Sequence, residues 1–290
     1  MAIKKENLLF HYNAMFNISD TEHSDITETW YNLSGSSKNG IVYDGTWGNN
    51  FLFLDGKTAW VNAGVYPLSN EVTAEVLFQT PIVNNTDERN LIDNAASGGI
   101  FIEVLNNKII GNCYYNEYKE ISTSVKPNEL TYVALTVKDN VMKLYKNGIL
   151  QGQYIADGNF SLNSSVTPIH CFALGANTTS STTVESRFFR GKIYSSRAYD
   201  VALTDNEIYD NFKTDKAMFD LSELQSAGNV SKVRIGQSQS YDLKDIYSRN
   251  NKLSKTEDDT AFGLINFTKG VQINKAKITY DEVNNIVTFI

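Results

Sequence analysis

Proline is scarce in this chain: Pro67, Pro81, Pro127 and Pro168 are the only four among 290 residues, and each falls between runs that read as strands. That excludes a long proline-rich linker. Cysteine is scarcer, with Cys113 and Cys171 alone. Two thiols in apolar runs read as buried and reduced rather than as a disulfide or metal pair. The three histidines, His11, His23 and His170, suggest no Ser-His-Asp constellation, and His170, beside Cys171 in an apolar run, reads as a core side chain. No run approaches the ~18 apolar residues of a membrane span. The start, "MAIKKENLLFHYNAMF", has neither the apolar segment nor the small-residue cleavage site of an export signal. Synthesis in a cytoplasm without a signal peptide, and no membrane insertion, are the expectations. Positive charge is also short. Residues 1–220 carry 17 basic against 25 acidic side chains, a balance of −8, and the remainder carries 9 against 8. Neither part offers the basic field a phosphate backbone requires, so nucleic acid is not expected as a partner.

What the chain does have is aromatic and β-branched residues. Aromatics reach 12% while the hydrophobic total stays at 41%. Runs such as "NNFLFLDG", "EVTAEVLFQ", "GIFIEVLNN", "KIIGNCYY" and "LTYVALTVKD" are separated by Gly, Asn, Asp and Ser clusters, the pattern of short antiparallel strands. "KDN" (138–140) reads as a tight hairpin, and Asn147-Gly148 supplies the signal for a type I′ turn. At least nine strands precede the segment Thr204-Asp205-Asn206-Glu207, which is a capping box. Leu203 and Ile208 flank it as a hydrophobic staple, and Asp205 and Glu207 sit at the positive end of the helix dipole. A helix of about three turns should start there. The distribution argues for two antiparallel sheets packed face to face with one helix at an end or edge. After residue 220 the texture changes, and residues 221–290 read as a separate, small β-rich module beside a sandwich of residues 1–220.

The order of motifs resembles that of the laminin-G-like, concanavalin A-like jelly-roll family. "TWYNLSGSSKNGIVYDGTWGNNFLFLDGKTAWVNAG" is similar to the family's opening, "LTYVALTVKDNVMKLYKNGIL" to its central hairpin, and "FFRGKIYSSRAYDVALTDNEI" to its closing signature. The implied fold is all-β: a jelly-roll sandwich of two antiparallel sheets with one short C-terminal helix. Trp30 and Trp60 lie in these fold motifs and are expected in the core. A narrower resemblance links "HYNAMFNISDTEHSDITETWYNLSG" to laminin-G-like proteins encoded by phages and prophages of Firmicutes, with Asn32 where Asp is usual. "VRIGQSQSYDLKDIYSRN" resembles a motif of tail- and capsid-associated proteins of the same phages, with Ser248 at the usual Ala. Together they imply a virion structural protein whose partners are other virion proteins, further copies of itself and host-surface glycans.

The chemistry points away from an enzyme. Glucanases of this fold carry a Glu-x-Asp-x-x-Glu strand, and none occurs here. Glu71 and Glu75, four apart on a strand, are ~13 Å from each other, beyond the ~5–5.5 Å of a retaining pair. A glycan-degrading enzyme is the remote alternative. Some relatives hold Ca²⁺, for which Asp87, Glu88 and Asp93 in one loop, or Asp20, Glu22 and Asp25 in another, are weak candidates without defined ligand spacing. Solvated acidic loops are the plainer reading, with no metal. For a sugar, "NCYYNEYKE" offers Tyr114, Tyr115 and Tyr118 beside Asn112. Alternation sends Tyr114 and Tyr115 to opposite faces, so only one can be core. Trp47, between Gly45 and Gly48, is the other candidate for an exposed ring. The alternative is that these are ordinary strand aromatics, in a ligand-free decoration protein. Asp242, Lys244, Asp245 and Arg249 could form a charged patch that attaches the second module to a particle.

Overall fold

The computed structural model describes residues 3–81, 83, 89–163 and 170–226, and beyond these only the strand segments of the C-terminal region. It divides into two units, Met1–Ala217 and Met218–Ile290. The first is a sandwich of two eight-stranded sheets. One sheet runs, in spatial order, Ile149–Ile155, Val141–Lys146, Thr131–Lys138, Glu71–Gln79, Arg190–Tyr199, Phe51–Asp55 and Thr46–Gly48, with Leu8–Asn13 also paired to Arg190–Tyr199. The other runs Glu117–Ser124, Lys108–Tyr115, Ile100–Leu105, Arg89–Asp93, Phe172–Leu174, Trp60–Gly64, Gly40–Tyr43 and Thr29–Trp30.

Local chemistry sets the hairpins. Asn147 (φ 51°) and Gly148 (φ 75°) are both left-handed, as a type I′ turn requires. A Cβ at Gly148 would lie 2.8 Å from the Phe212 ring, so this turn needs glycine twice over. Asn106 and Asn107, at φ 50° and 61°, make the equivalent link between Ile100–Leu105 and Lys108–Tyr115. Strand alternation then builds the core. In Glu71–Gln79, Val72, Ala74, Val76 and Phe78 point between the sheets, while Thr73 and Glu75 face the other way. Cys113 lies in this main core and Cys171 in a smaller cluster with Trp60, Ala173 and Ala176; both thiols are free.

Trp47 is not an exposed ring. It sits in Thr46–Gly48, opposite Leu52, and is 7% exposed. Its ring meets that of Trp30 edge-on at 5.1 Å, and its Nε1 donates to the Thr27 carbonyl at 2.8 Å. The flanking glycines suggest a loop, but Gly48 instead leaves room for the Phe51 ring to lie against the strand.

The helix runs Asp205–Ser226. Its start follows the capping box: the Thr204 amide donates to Glu207 Oε2 at 2.8 Å, and Leu203 and Ile208 are buried. It outlasts three turns because no Gly or Pro interrupts it before Gly228. Within the first unit, Ile208, Asn211 and Asp215 face the outer side of the first sheet at helical spacing. They cover a buried polar cluster. Arg197 donates from Nε to Glu75 at 2.5 Å, and its two terminal nitrogens hold both oxygens of Asp215 at 2.9 and 2.5 Å. The Tyr132 hydroxyl (2.6 Å) and Asn211 (3.0 Å) also donate to Glu75. Burial opposes the guanidinium charge, but the carboxylates of Asp215 and Glu75 outweigh it and hold the Arg197 pKa well above its ordinary value.

The second unit holds a four-stranded sheet in the order Gln239–Asp242, Lys232–Ile235, Ile286–Phe289 and Ile278–Asp281, the central pair parallel. A short pair joins Ser254–Lys255 and Ala261–Phe262. Among the described residues no helix is long and apolar enough to cross a membrane.

Candidate functional site

The two-residue Asn106-Asn107 turn pairs Leu105 with Lys108, and that single registration brings Glu103 opposite Ile110 and Phe101 opposite Asn112. The next hairpin sets Asn112 opposite Glu120 and Tyr114 opposite Tyr118. On the other side Phe101 faces Asp93, which faces Ala173, which faces Asn62. The result is a continuous cross-strand row over the outer face of the second sheet: Asn62, Ala173, Asp93, Phe101, Asn112, Glu120. Their sheet neighbours Ile100, Ile102, Ile109 and Cys113 are in the main core, so alternation fixes the row on the opposite side.

The two ends of the row differ. At Asn62 the Ser181 carbonyl covers it, accepting from the Asn62 amide at 3.2 Å. At the other end the face opens along Glu117–Ser124, where Glu120 is exposed and Tyr118 is 38% exposed. Three rings gather there. Tyr118 meets Tyr114 edge-on at 5.2 Å and Phe101 at 5.1 Å. The Arg187 guanidinium lies 5.8 Å from the Phe101 ring centre. Asn112 donates to Glu103 at 3.4 Å. Burial, with a smaller push from the Asp93 charge, raises the Tyr118 hydroxyl to about 12.

Asp93 is held in place rather than offered. One oxygen accepts the Ala95 amide at 2.7 Å and the other accepts the side chain of Asn90. Burial raises its pKa to about 7, beyond what the Ala95 and Asn90 hydrogen bonds restore. On the other sheet, burial and then the charges of Arg197 and Lys5 push His11 well below 6.5. The two groups act on stability with opposite sign. Asp93 binds a proton in the folded state up to about pH 7, whereas its unfolded value is 3.8, so its contribution is full below 3.8 and is lost as pH rises. The unfolded chain takes a proton on His11 below 6.5 and the folded chain does not, so that contribution is full above 6.5 and is lost as pH falls. Each slope reaches about 1.4 kcal/mol per pH unit, and the two oppose each other below pH 6.5, where His11 titrates in the unfolded chain. Denaturant melts over a pH series should resolve the two against the wild-type profile. Asp93→Asn should tilt it upward with pH, and His11→Gln downward. Unchanged profiles in both variants would contradict the burial of these groups.

The sequence-derived candidates separate here. Asn112, Tyr114 and Tyr118 share the outer face. Tyr115 points to the other side, its ring 6.3 Å from Phe160 and packed against the core, and Trp47 is inside the sandwich. Of the acidic-loop set, Asp87 and Glu88 lie outside the described residues, and both Asp93 oxygens accept hydrogen bonds within the chain. In the other loop, His23 bridges the Ala14 carbonyl and Asp25, at 2.8 Å each. Among the described residues no group of three or more His, Cys, Asp or Glu could hold a metal. Asp242 closes the strand Gln239–Asp242, opposite Lys232; Lys244, Asp245 and Arg249 lie outside the described residues. Phe101, Glu103 and Glu120 belong to the face and were missed, although counting outward from the Asn-Asn turn would have aligned Phe101 and Glu103 with Asn112 and Ile110.

A family model described as the concanavalin A-like lectin/glucanases superfamily matches residues 55–209, more than half of the chain. No curated protein matches it. Among solved structures, the binding domain of botulinum neurotoxin DC in complex with SialylT is similar with a TM-score of 0.53 and 14% identity, covering 73% of this chain and 52% of that one. Botulinum neurotoxin type C, whose cell entry is reported to depend on two ganglioside molecules, gives 0.53 and 15%, covering 73% and 52%. The binding domain of Paraclostridial Mosquitocidal Protein 1 gives 0.53 and 16%, covering 79% and 54%. At these identities the likeness is one of fold, and the chain spans about half the length of each of those domains.

Proposed function

Because the chain belongs to the concanavalin A-like lectin/glucanases superfamily, we propose that its sandwich is a non-catalytic recognition head that binds carbohydrate on the outer face of the second sheet. One observation carries this reading: the row that ends in Asn112 and Glu120 runs directly beside the exposed ring of Tyr118. A sugar presents an apolar C–H face and a rim of hydroxyls. An aromatic ring takes the first, and amide and carboxylate side chains take the second. Two features argue against catalysis: the missing Glu-x-Asp-x-x-Glu strand, and Asp93, whose two oxygens already accept hydrogen bonds from Ala95 and Asn90. The SialylT complex and the ganglioside dependence belong to the toxin domains, and they support only the general point that this sandwich occurs in proteins that bind sugar-bearing ligands.

We further propose, from the two phage-like motifs, that the head is displayed on a phage particle and that residues 221–290 attach it to other virion proteins. Many copies on one particle would compensate for weak binding per copy. Removing residues 221–290 should abolish incorporation into particles, and wild-type incorporation of that truncation would refute the attachment role.

The head is tested with the purified chain presented as a multimer to a glycan array and to host cell wall. Saturable binding is expected, reduced at least tenfold by Tyr118→Ala, since the ring that takes the sugar's C–H face and its hydroxyl are lost together. Binding unaffected by Tyr118→Ala would place the site elsewhere; none at all would leave the sandwich as structural cladding.

A further inference from the structure

The charged groups on the candidate face are unequal in number. Among the described residues, Asp93, Glu103 and Glu120 lie on it, against two cations, Arg187 and Lys108. Lys108 lies diagonal to Glu103 across the Leu105–Lys108 hairpin, and stands four residues, ~13 Å, from Asn112 along its strand. Glu117 and Lys119, at the neighbouring turn, pair with each other at 2.5 Å and add no net charge. The surroundings reinforce the sign, since residues 1–220 carry a balance of −8. A second, independent feature points the same way. Asn90 is fully buried on this face opposite Glu103, donates its amide nitrogen to Asp93, and keeps its Oδ1 without a hydrogen-bond partner. Acceptors thus stand in excess of cationic groups on this face: Glu120 at its open end, with the carboxylates of Asp93 and Glu103 and the orphaned Asn90 oxygen buried behind it.

Resting on the reading of this face as a carbohydrate site, we propose that it selects glycans without acidic groups, that is, neutral or amino-bearing sugars, and rejects sialylated and phosphodiester-linked ones. Hydroxyl and ammonium groups donate to the Glu120 carboxylate, whereas a carboxylate or phosphate brought beside it meets like charge, with Asp93 and Glu103 adding theirs from the desolvated layer behind, where screening by water is weak. Specificity then lies in repulsion as much as in attraction. Glu120 is the specificity-determining residue to test, because it is exposed and next to Asn112 at the open end of the row. Asp93 sits deeper, and its raised pKa makes its share of the repulsion smaller at mildly acidic pH.

The experiment compares three probe sets on the full chain, presented as a multimer at pH 7.5: neutral oligosaccharides of N-acetylglucosamine and galactose, glucosamine oligomers, and anionic sialyllactose with glycerol-phosphate polymer. The expected result is at least tenfold preference for the first two sets over the third. Raising salt from 50 to 500 mM should narrow the gap between neutral and anionic probes, since screening weakens repulsion. Glu120→Gln should narrow the same gap at low salt. If anionic glycans bind as well as or better than neutral ones, or if neither salt nor Glu120→Gln changes the ratio, the charge-selection claim is overturned while the carbohydrate reading stands. If no probe of any class binds, both fall.

Discussion

Arg197→Ala should cost about 3–5 kcal/mol of stability, as expected for a buried ion pair that loses one partner. In a unit of this size that corresponds to a drop in Tm of about 10 °C. Arg197 is 1% exposed, and it separates two carboxylates, Glu75 and Asp215, that are equally buried. Glu75 keeps the Tyr132 hydroxyl and the Asn211 amide as donors, but Asp215 loses the guanidinium that holds both its oxygens. The diagnostic test is a reversal of sign. Asp215→Asn alone should destabilise by about 1.5–3 kcal/mol, because it removes charge-assisted hydrogen bonds. In the Arg197→Ala background the same change should stabilise, because it discharges a stranded carboxylate. A double-mutant cycle by thermal or urea melts would measure this, and simple additivity would mean that the cluster does not act as a unit.

Trp47→Ala should be comparably severe, costing about 3–5 kcal/mol through the cavity left in the core. The ring fills space against Trp30 and His23, and its Nε1 ties the Thr27 carbonyl. Two readouts follow: a lowered Tm, and faster proteolysis around residues 17–28, which lose that tie. Trp47→Phe should recover much of the packing without the hydrogen bond. A Trp47→Ala chain with wild-type melting would contradict the burial. For the same reason Trp47→Ala is a poor probe of ligand binding, since lost binding would report lost structure.

The contrast between Trp47 and Tyr118 shows which parts of the fold were legible in the sequence. Tyr118 could be placed because its surroundings are local: Asn112, Tyr114 and Tyr118 follow from strand alternation and one hairpin. The Asn147-Gly148 turn and the Thr204–Glu207 capping box were legible on the same grounds, each being a few adjacent residues whose hydrogen bonds close on themselves. Trp47 was misread because its glycine neighbours mimic a loop, while its burial is decided by Trp30 and Leu52. The Glu75–Arg197–Asp215 cluster could not be read at all. Glu75 and Arg197 are 122 residues apart, and nothing in a lone Glu or Arg on a strand says that a helix will cover it. Helix length fell between these cases: its beginning is encoded in a cap, and its end only in the absence of a breaker.

The most direct test of the central claim is hydrogen exchange of the full chain with and without a saturating glycan from the binding screen. Slowed exchange confined to segments 98–103 and 112–122 is the predicted result, because these carry Phe101, Glu103, Asn112, Tyr114, Tyr118 and Glu120. Protection that falls instead on the outer face of the first sheet or on residues 232–289, with 98–103 and 112–122 unchanged, would contradict it.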